Sequence, residues 1–122
     1  MSSYLQVFGT APDHAATSKL PQHGFARNSK WEFLGKSTSE SAPNSASADL
    51  SVKLDFGLST PGLEDGARSA WPFQFGLLYS VTLDRDSLTT SLVVTNQGDK
   101  PFECQVLLHT YFRVGVSLDG VC

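Results

Sequence analysis

The chain has 122 residues, enough for one small domain around a single core. With 40% hydrophobic and 11% aromatic residues it is not compositionally disordered. A formal charge of −3 without any basic run argues against nucleic acid as a partner, while leaving room for a small anion held by one or two placed arginines.

No apolar run is long enough to span a bilayer, so no membrane partner is expected. The start, Met1-Ser2-Ser3-Tyr4-Leu5-Gln6-Val7, has neither a charged n-region nor an apolar h-region, and a cytoplasmic address follows by default. Cys104 and Cys122 lack metal-ligand spacing and are expected to be reduced, incidental residues.

The first thirty residues, with Pro12, His14 and Pro21, show no clean period and read as loop. Trp31-Glu32-Phe33-Leu34 alternates briefly, which predicts a short strand. Residues 37–49 are rich in Ser, Ala, Asn and Pro and predict an exposed loop, because nothing there can form a buried face. Leu50, Val52, Leu54, Phe56 and Leu58 then alternate with Ser51, Lys53, Asp55 and Gly57, a strand with one dry and one wet face that ends at Thr60-Pro61-Gly62.

Phe73, Phe75, Leu77, Tyr79, Val81 and Leu83 form a second alternating face, and Asp84-Arg85-Asp86-Ser87 can turn the chain into a third, Leu88, Thr90, Leu92 and Val94. After the turn-forming cluster Asn96-Gln97-Gly98-Asp99-Lys100-Pro101, the residues Phe102, Cys104, Val106, Leu108, Thr110, Phe112 and Val114 predict a last strand. Short turns between consecutive strands imply antiparallel neighbours, and no stretch has helical periodicity with caps. The expected class is therefore all-β, a meander belonging to a sandwich or barrel.

The second face of that last strand reads Glu103, Gln105, Leu107, His109, Tyr111 and Arg113. Two readings fit so mixed a face. One is a ligand-binding surface with a few polar groups among apolar ones. The other is a sheet face covered by a further layer, with His109 hydrogen-bonded inside, and on periodicity alone this second reading leads. Taken singly, Arg27 reads as a surface arginine, while turn and pocket roles for His23 are level.

Two segments shift that balance: Leu20-Pro21-Gln22-His23-Gly24-Phe25-Ala26-Arg27-Asn28-Ser29-Lys30-Trp31-Glu32-Phe33-Leu34-Gly35, and Leu107-Leu108-His109-Thr110-Tyr111-Phe112-Arg113-Val114. Together with Trp71-Pro72-Phe73 and Ser87-Leu88-Thr89-Thr90, they resemble the glucose-6-phosphate 1-epimerase (hexose-6-phosphate mutarotase) group of the aldose 1-epimerase family, with fungal members most similar.

The resemblance implies part of a galactose-mutarotase-like antiparallel β-sandwich that interconverts the α and β anomers of hexose 6-phosphates, with no cofactor and no metal. It implies His109 as the general acid, Arg27 as a phosphate clamp, and Gln22 and His23 as residues lining the sugar pocket. A hexose 6-phosphate is the implied small-molecule partner, and the complete protein would be a monomer.

Members of the family are more than twice this long, so the resemblance also implies a single incomplete domain over residues 1–122, with a divergent tail over 115–122. The family's second arginine, its catalytic glutamate and a pocket aspartate have no match here; Glu64 and Glu103 fall elsewhere in the pattern. The alternative expectation is a non-catalytic sugar-phosphate-binding module or an inactive truncated product.

Overall fold

The computed structural model describes residues 17–39, 51–111 and 113. Four strands make one antiparallel sheet in the order β1-β2-β3-β4: β1 Glu32–Thr38, β2 Val52–Ser59, β3 Phe75–Leu83 and β4 Leu88–Asn96. A six-residue helix, α1 at Asp65–Ala70, lies between β2 and β3. The all-β class and the antiparallel order hold, and this sheet is the one layer among the described residues.

Register follows the alternation in the sequence. Leu58 stands opposite Leu77 and Phe56 opposite Tyr79, while Leu77 faces Val94 and Tyr79 faces Leu92. Directly opposed residues share a face, so one side of β2, β3 and β4 is a continuous apolar surface. On the other side, the Ser80 hydroxyl donates to the Asp55 carboxylate, which also pairs with Lys53 Nζ at 3.1 Å.

The core sits on the apolar side, towards the Phe75 end of β3. Leu58, Leu63, Trp71 and Phe75 are buried, and Leu20, Phe25, Trp31, Phe73 and Phe102 pack against them. Phe75 is 2% exposed, and burying such a side chain stabilises by about 1.5–3 kcal/mol. Thr60 joins the connection to the sheet: its Oγ1 donates to Phe73 O and accepts from Phe75 N–H, both at 3.1 Å.

Several expectations are corrected. β1 does not stop at Leu34 but runs to Thr38, so Ser37 and Thr38 are strand, not the start of a loop. The ladder to Lys53 and Val52 carries it that far, and Ser51 N–H donates to Ser39 Oγ just beyond. The register shifts between Phe33 and Gly35, which places Leu34 over Gly57; a Cβ on Gly57 would meet Leu34 Cδ1 at 3.1 Å.

Helix α1 was not foreseen, because six residues containing Gly66 are too short to show a period. Arg68 holds the helix to the preceding turn, Nη2 donating to Leu63 O at 2.8 Å. The helix ends at the residue before Trp71-Pro72, consistent with the restriction that proline places on the residue preceding it.

The largest correction concerns the last strand. Residues 101–111 form no strand. Asn96 captures the turn with its own amide, accepting from Gly98 N–H and donating to Lys100 O, both at 2.9 Å. Pro101 has no N–H to offer a ladder. Phe102 is then drawn into the core against Trp71 and Phe73, with ring centroids 5.6 Å from each. The segment runs beside the sheet's apolar face instead of pairing with β4.

The other half of the predicted loop (residues 40–49), Leu50, His14, Phe112, Val114, Cys122 and the 115–122 tail lie outside the described residues. No helix among the described residues is long and apolar enough to cross a membrane.

Candidate functional site

A cavity of about 950 Å³ lies over the apolar face. Its floor includes Phe25, Trp71, Phe75, Leu77, Leu92 and Val94. One rim carries His23, Gly24 and Arg27, and residues 104–109 with Tyr111 form the other. An apolar floor with a few convergent polar groups is the usual make-up of a small-molecule site, and the volume suits one.

The first rim is built by a tight turn. Gly24 N–H donates to Pro21 O at 2.9 Å, and His23, in the third position, has φ +67. Positive φ at that position belongs to a type II turn, which normally takes glycine or asparagine. Gly24 follows at φ +70. His23 is the sole non-glycine with positive φ among the described residues, so backbone strain coincides with a cavity-lining imidazole. His23 thus shapes the turn, and its side chain borders the cavity.

Phe25 anchors this turn from below, packing on Phe75 at 5.4 Å and Trp71 at 6.3 Å. A short 3-10 turn, Ala26–Asn28, follows, and Trp31 Nε1 ties it to the start of β1 by donating to Ala26 O at 2.8 Å. With Phe25 plugged into the core, His23 and Arg27, two residues to either side, are left at the rim. Arg27 is exposed there, as a charged side chain is unless it is paired.

The second rim brings His109 to the same place. Its ring meets the His23 ring edge-on, with centroids 5.5 Å apart and planes at 86°. Tyr111 stacks on His109 at 4.9 Å with 27° between the planes. Residues from both predicted faces of this segment, Cys104, Val106 and Leu108 as well as Gln105, Leu107 and His109, border the one cavity, which a two-faced strand would not allow.

The structure thus brings together His23, Arg27 and His109. It leaves Gln22 exposed at the second position of the turn, outside the cavity lining. It adds Tyr111 and Cys104 to the rim. Tyr111 had a legible signal, the spacing of two from His109; Cys104 had none.

His23 Nδ1 is buried without a hydrogen-bond partner among the described residues. Such an atom costs about 1–3 kcal/mol when desolvated and unpaired. No carboxylate lines the cavity among the described residues, and none of their His, Cys, Asp and Glu side chains form a group of three or more that could hold a metal ion. Among the described residues the one carboxyl clearly displaced from its ordinary value is Asp55, held low by the Ser80 hydroxyl and then by Lys53. It lies on the opposite face of the sheet, bonded to the buried Ser80 and paired with the part-exposed Lys53.

These features define an all-β protein with an open, polar-rimmed cavity over one sheet face. The chain belongs to the aldose 1-epimerase family, whose model matches residues 5–121. It is 34% identical over 111 residues to a protein of Escherichia coli (strain K12) named "Putative glucose-6-phosphate 1-epimerase", covering 88% of this chain and 32% of that one. A protein of the same name from Cenchrus ciliaris is 30% identical over 106 residues, covering 84% of this chain and 30% of the relative. The chain therefore spans about a third of the length of these curated relatives. No solved structure matches it significantly.

Proposed function

We propose that this chain carries the histidine and phosphate-binding part of a site that interconverts the α and β anomers of a hexose 6-phosphate. The observation that carries the reading is the meeting of His109, His23 and Arg27 at one cavity in a chain of this family.

The chemistry follows from the acetal. A base removes the proton of the C1 hydroxyl. The C1–O5 bond breaks, its electron pair goes to the ring oxygen, and an acid protonates that oxygen. The open aldehyde rotates about C1–C2, and the reverse steps close the ring on the other face. His109 is the acid, since an imidazole with a reference pKa of about 6.5 exchanges protons at neutral pH. One positioned acid or base contributes about 10²–10⁴ in rate. Arg27 holds the 6-phosphate through two parallel charge-assisted hydrogen bonds. His23 lines the sugar pocket with its ring, and Gln22 reaches the sugar only with a change in the turn.

The base of the family, a glutamate, has no match in this chain, so the chain alone binds the sugar phosphate and accelerates anomer exchange little. A second reading, a sugar-phosphate-binding module without catalysis, draws on the cavity lining, which among the described residues has two histidines and an arginine but no carboxylate.

Calorimetric titration with glucose 6-phosphate and with glucose, alongside anomer-exchange NMR, separates these readings. The phosphate ester is expected to bind the more tightly, and Arg27→Ala to abolish that preference. Equal binding of the two sugars would sink the phosphate site. An exchange rate matching that of a complete enzyme would refute the missing base, and in any active form a rate unchanged by His109→Ala would remove the acid.

A further inference from the structure

His109 lies in a segment without a strand ladder, and its side chain is exposed. A strand ladder therefore does not place it, and contacts of its ring bear on its orientation. Two are aromatic and nearly perpendicular: His23 meets the imidazole edge-on at 86°, and Tyr111 covers a face at 27° and 4.9 Å. They come from separate parts of the chain, His23 from the strained turn anchored by Phe25 and Tyr111 from the segment itself.

We propose that Tyr111 is a positioning residue, whose ring stacks on His109 and holds the imidazole plane at a right angle to His23 at the cavity rim. The proposal rests on the reading of His109 as the acid.

An imidazole free to turn about Cβ–Cγ carries its nitrogens around a circle, and proton transfer needs one of them aligned with the reacting oxygen. Stacking of the usual strength favours one orientation by roughly three- to tenfold over the unstacked ring. A shift in orientation alone can lower the rate of a proton-transfer step by about 10²-fold. Tyr111 is 86% exposed, so little else packs on it and its substitution should leave the core intact. Stacking needs the ring and not the phenol, so phenylalanine should serve where alanine does not.

The test uses the full chain, labelled in its histidine rings, in native, Tyr111→Ala and Tyr111→Phe forms, with His109→Gln for assignment. Ring current from the stacked tyrosine is expected to shift the His109 ring protons upfield, Tyr111→Ala to abolish that shift and Tyr111→Phe to keep it. Exchange of glucose 6-phosphate anomers is read on the same samples. Of whatever exchange the native chain supports, Tyr111→Ala is expected to lower kcat by about tenfold with KM within about twofold, and Tyr111→Phe to restore it.

Ring shifts unchanged by Tyr111→Ala would overturn the stacking. A phenylalanine variant behaving like alanine would overturn it too, and so would a loss confined to KM. Native chain without measurable exchange is what the missing base predicts, and the ring shifts then decide whether Tyr111 holds His109; native chain that does not bind glucose 6-phosphate would instead be the failure of the proposed function.

Discussion

The His109 ring stands edge-on to the His23 ring, with 5.5 Å between centroids, although 85 positions separate the two in the chain. The His23 backbone is left-handed, φ +67, and its side chain borders the cavity.

That backbone makes a sharp prediction. A non-glycine residue in the left-handed region costs about 1–2 kcal/mol, and the buried Nδ1 adds a further penalty. His23→Gly removes both and should match or exceed the native chain in thermal stability, even after the extra chain entropy of glycine, about 0.5–1 kcal/mol. His23→Val should be less stable than native, because a branched Cβ suits this region worst. Thermal unfolding of both variants checks this, and a valine variant as stable as the glycine variant would show that the turn is not strained.

The alternation of β2, β3 and β4 was legible because one face of each strand is apolar and the period of two is unbroken. The turn at Asp84-Arg85-Asp86-Ser87 was legible for the same local reason: Asp84 N–H donates to Ser87 O at 2.8 Å, and Ser87 Oγ to Asp84 Oδ2 at 3.1 Å. The path of the segment after Pro101 was not legible in the same way. Phe102 to Val114 alternates as well as β2 does, yet alternation states only which residues could share a face, not whether a ladder partner is in reach. The Asn96 amide shapes the turn locally, but the packing of Phe102 on the Trp71–Phe73 cluster is tertiary and is not written in the alternation.

The site was legible in a different way. His23, Arg27 and His109 were named through motif resemblance, since nothing in the spacing shows that the two segments meet. Gln22 came with the same motif, and the turn directs it away from the cavity.

The side chain of Thr60 carries a second prediction. It satisfies both Phe73 O and Phe75 N–H where β3 begins, and it is 8% exposed. Thr60→Val keeps the shape and removes both hydrogen bonds, leaving a buried donor and acceptor unpaired at a cost of about 1–3 kcal/mol each at most. Thr60→Ser keeps both bonds and loses one methyl group, worth about 1 kcal/mol or less. Denaturant unfolding should therefore rank native above serine and serine above valine. A valine variant as stable as native would mean that these backbone groups find other partners.

The Asp55–Ser80 pair predicts a dependence on pH. The Ser80 hydroxyl, followed by Lys53 at 3.1 Å, holds the Asp55 carboxyl below the ordinary carboxylate range. A carboxyl whose folded pKa is depressed contributes stability that is present above the unfolded pKa, about 3.9 for aspartate, and is lost as pH falls through the folded value. Ser80→Ala removes the larger cause, so the Asp55 titration followed by carboxyl-carbon NMR should move up towards the ordinary value. The stability gap between native and Ser80→Ala should be largest above about pH 5 and narrow as the carboxylate is protonated. Because the pair faces away from the cavity, the same substitution should leave binding of glucose 6-phosphate unchanged. A gap that stayed constant with pH would assign the effect to packing of the buried Ser80 side chain rather than to its bond with Asp55.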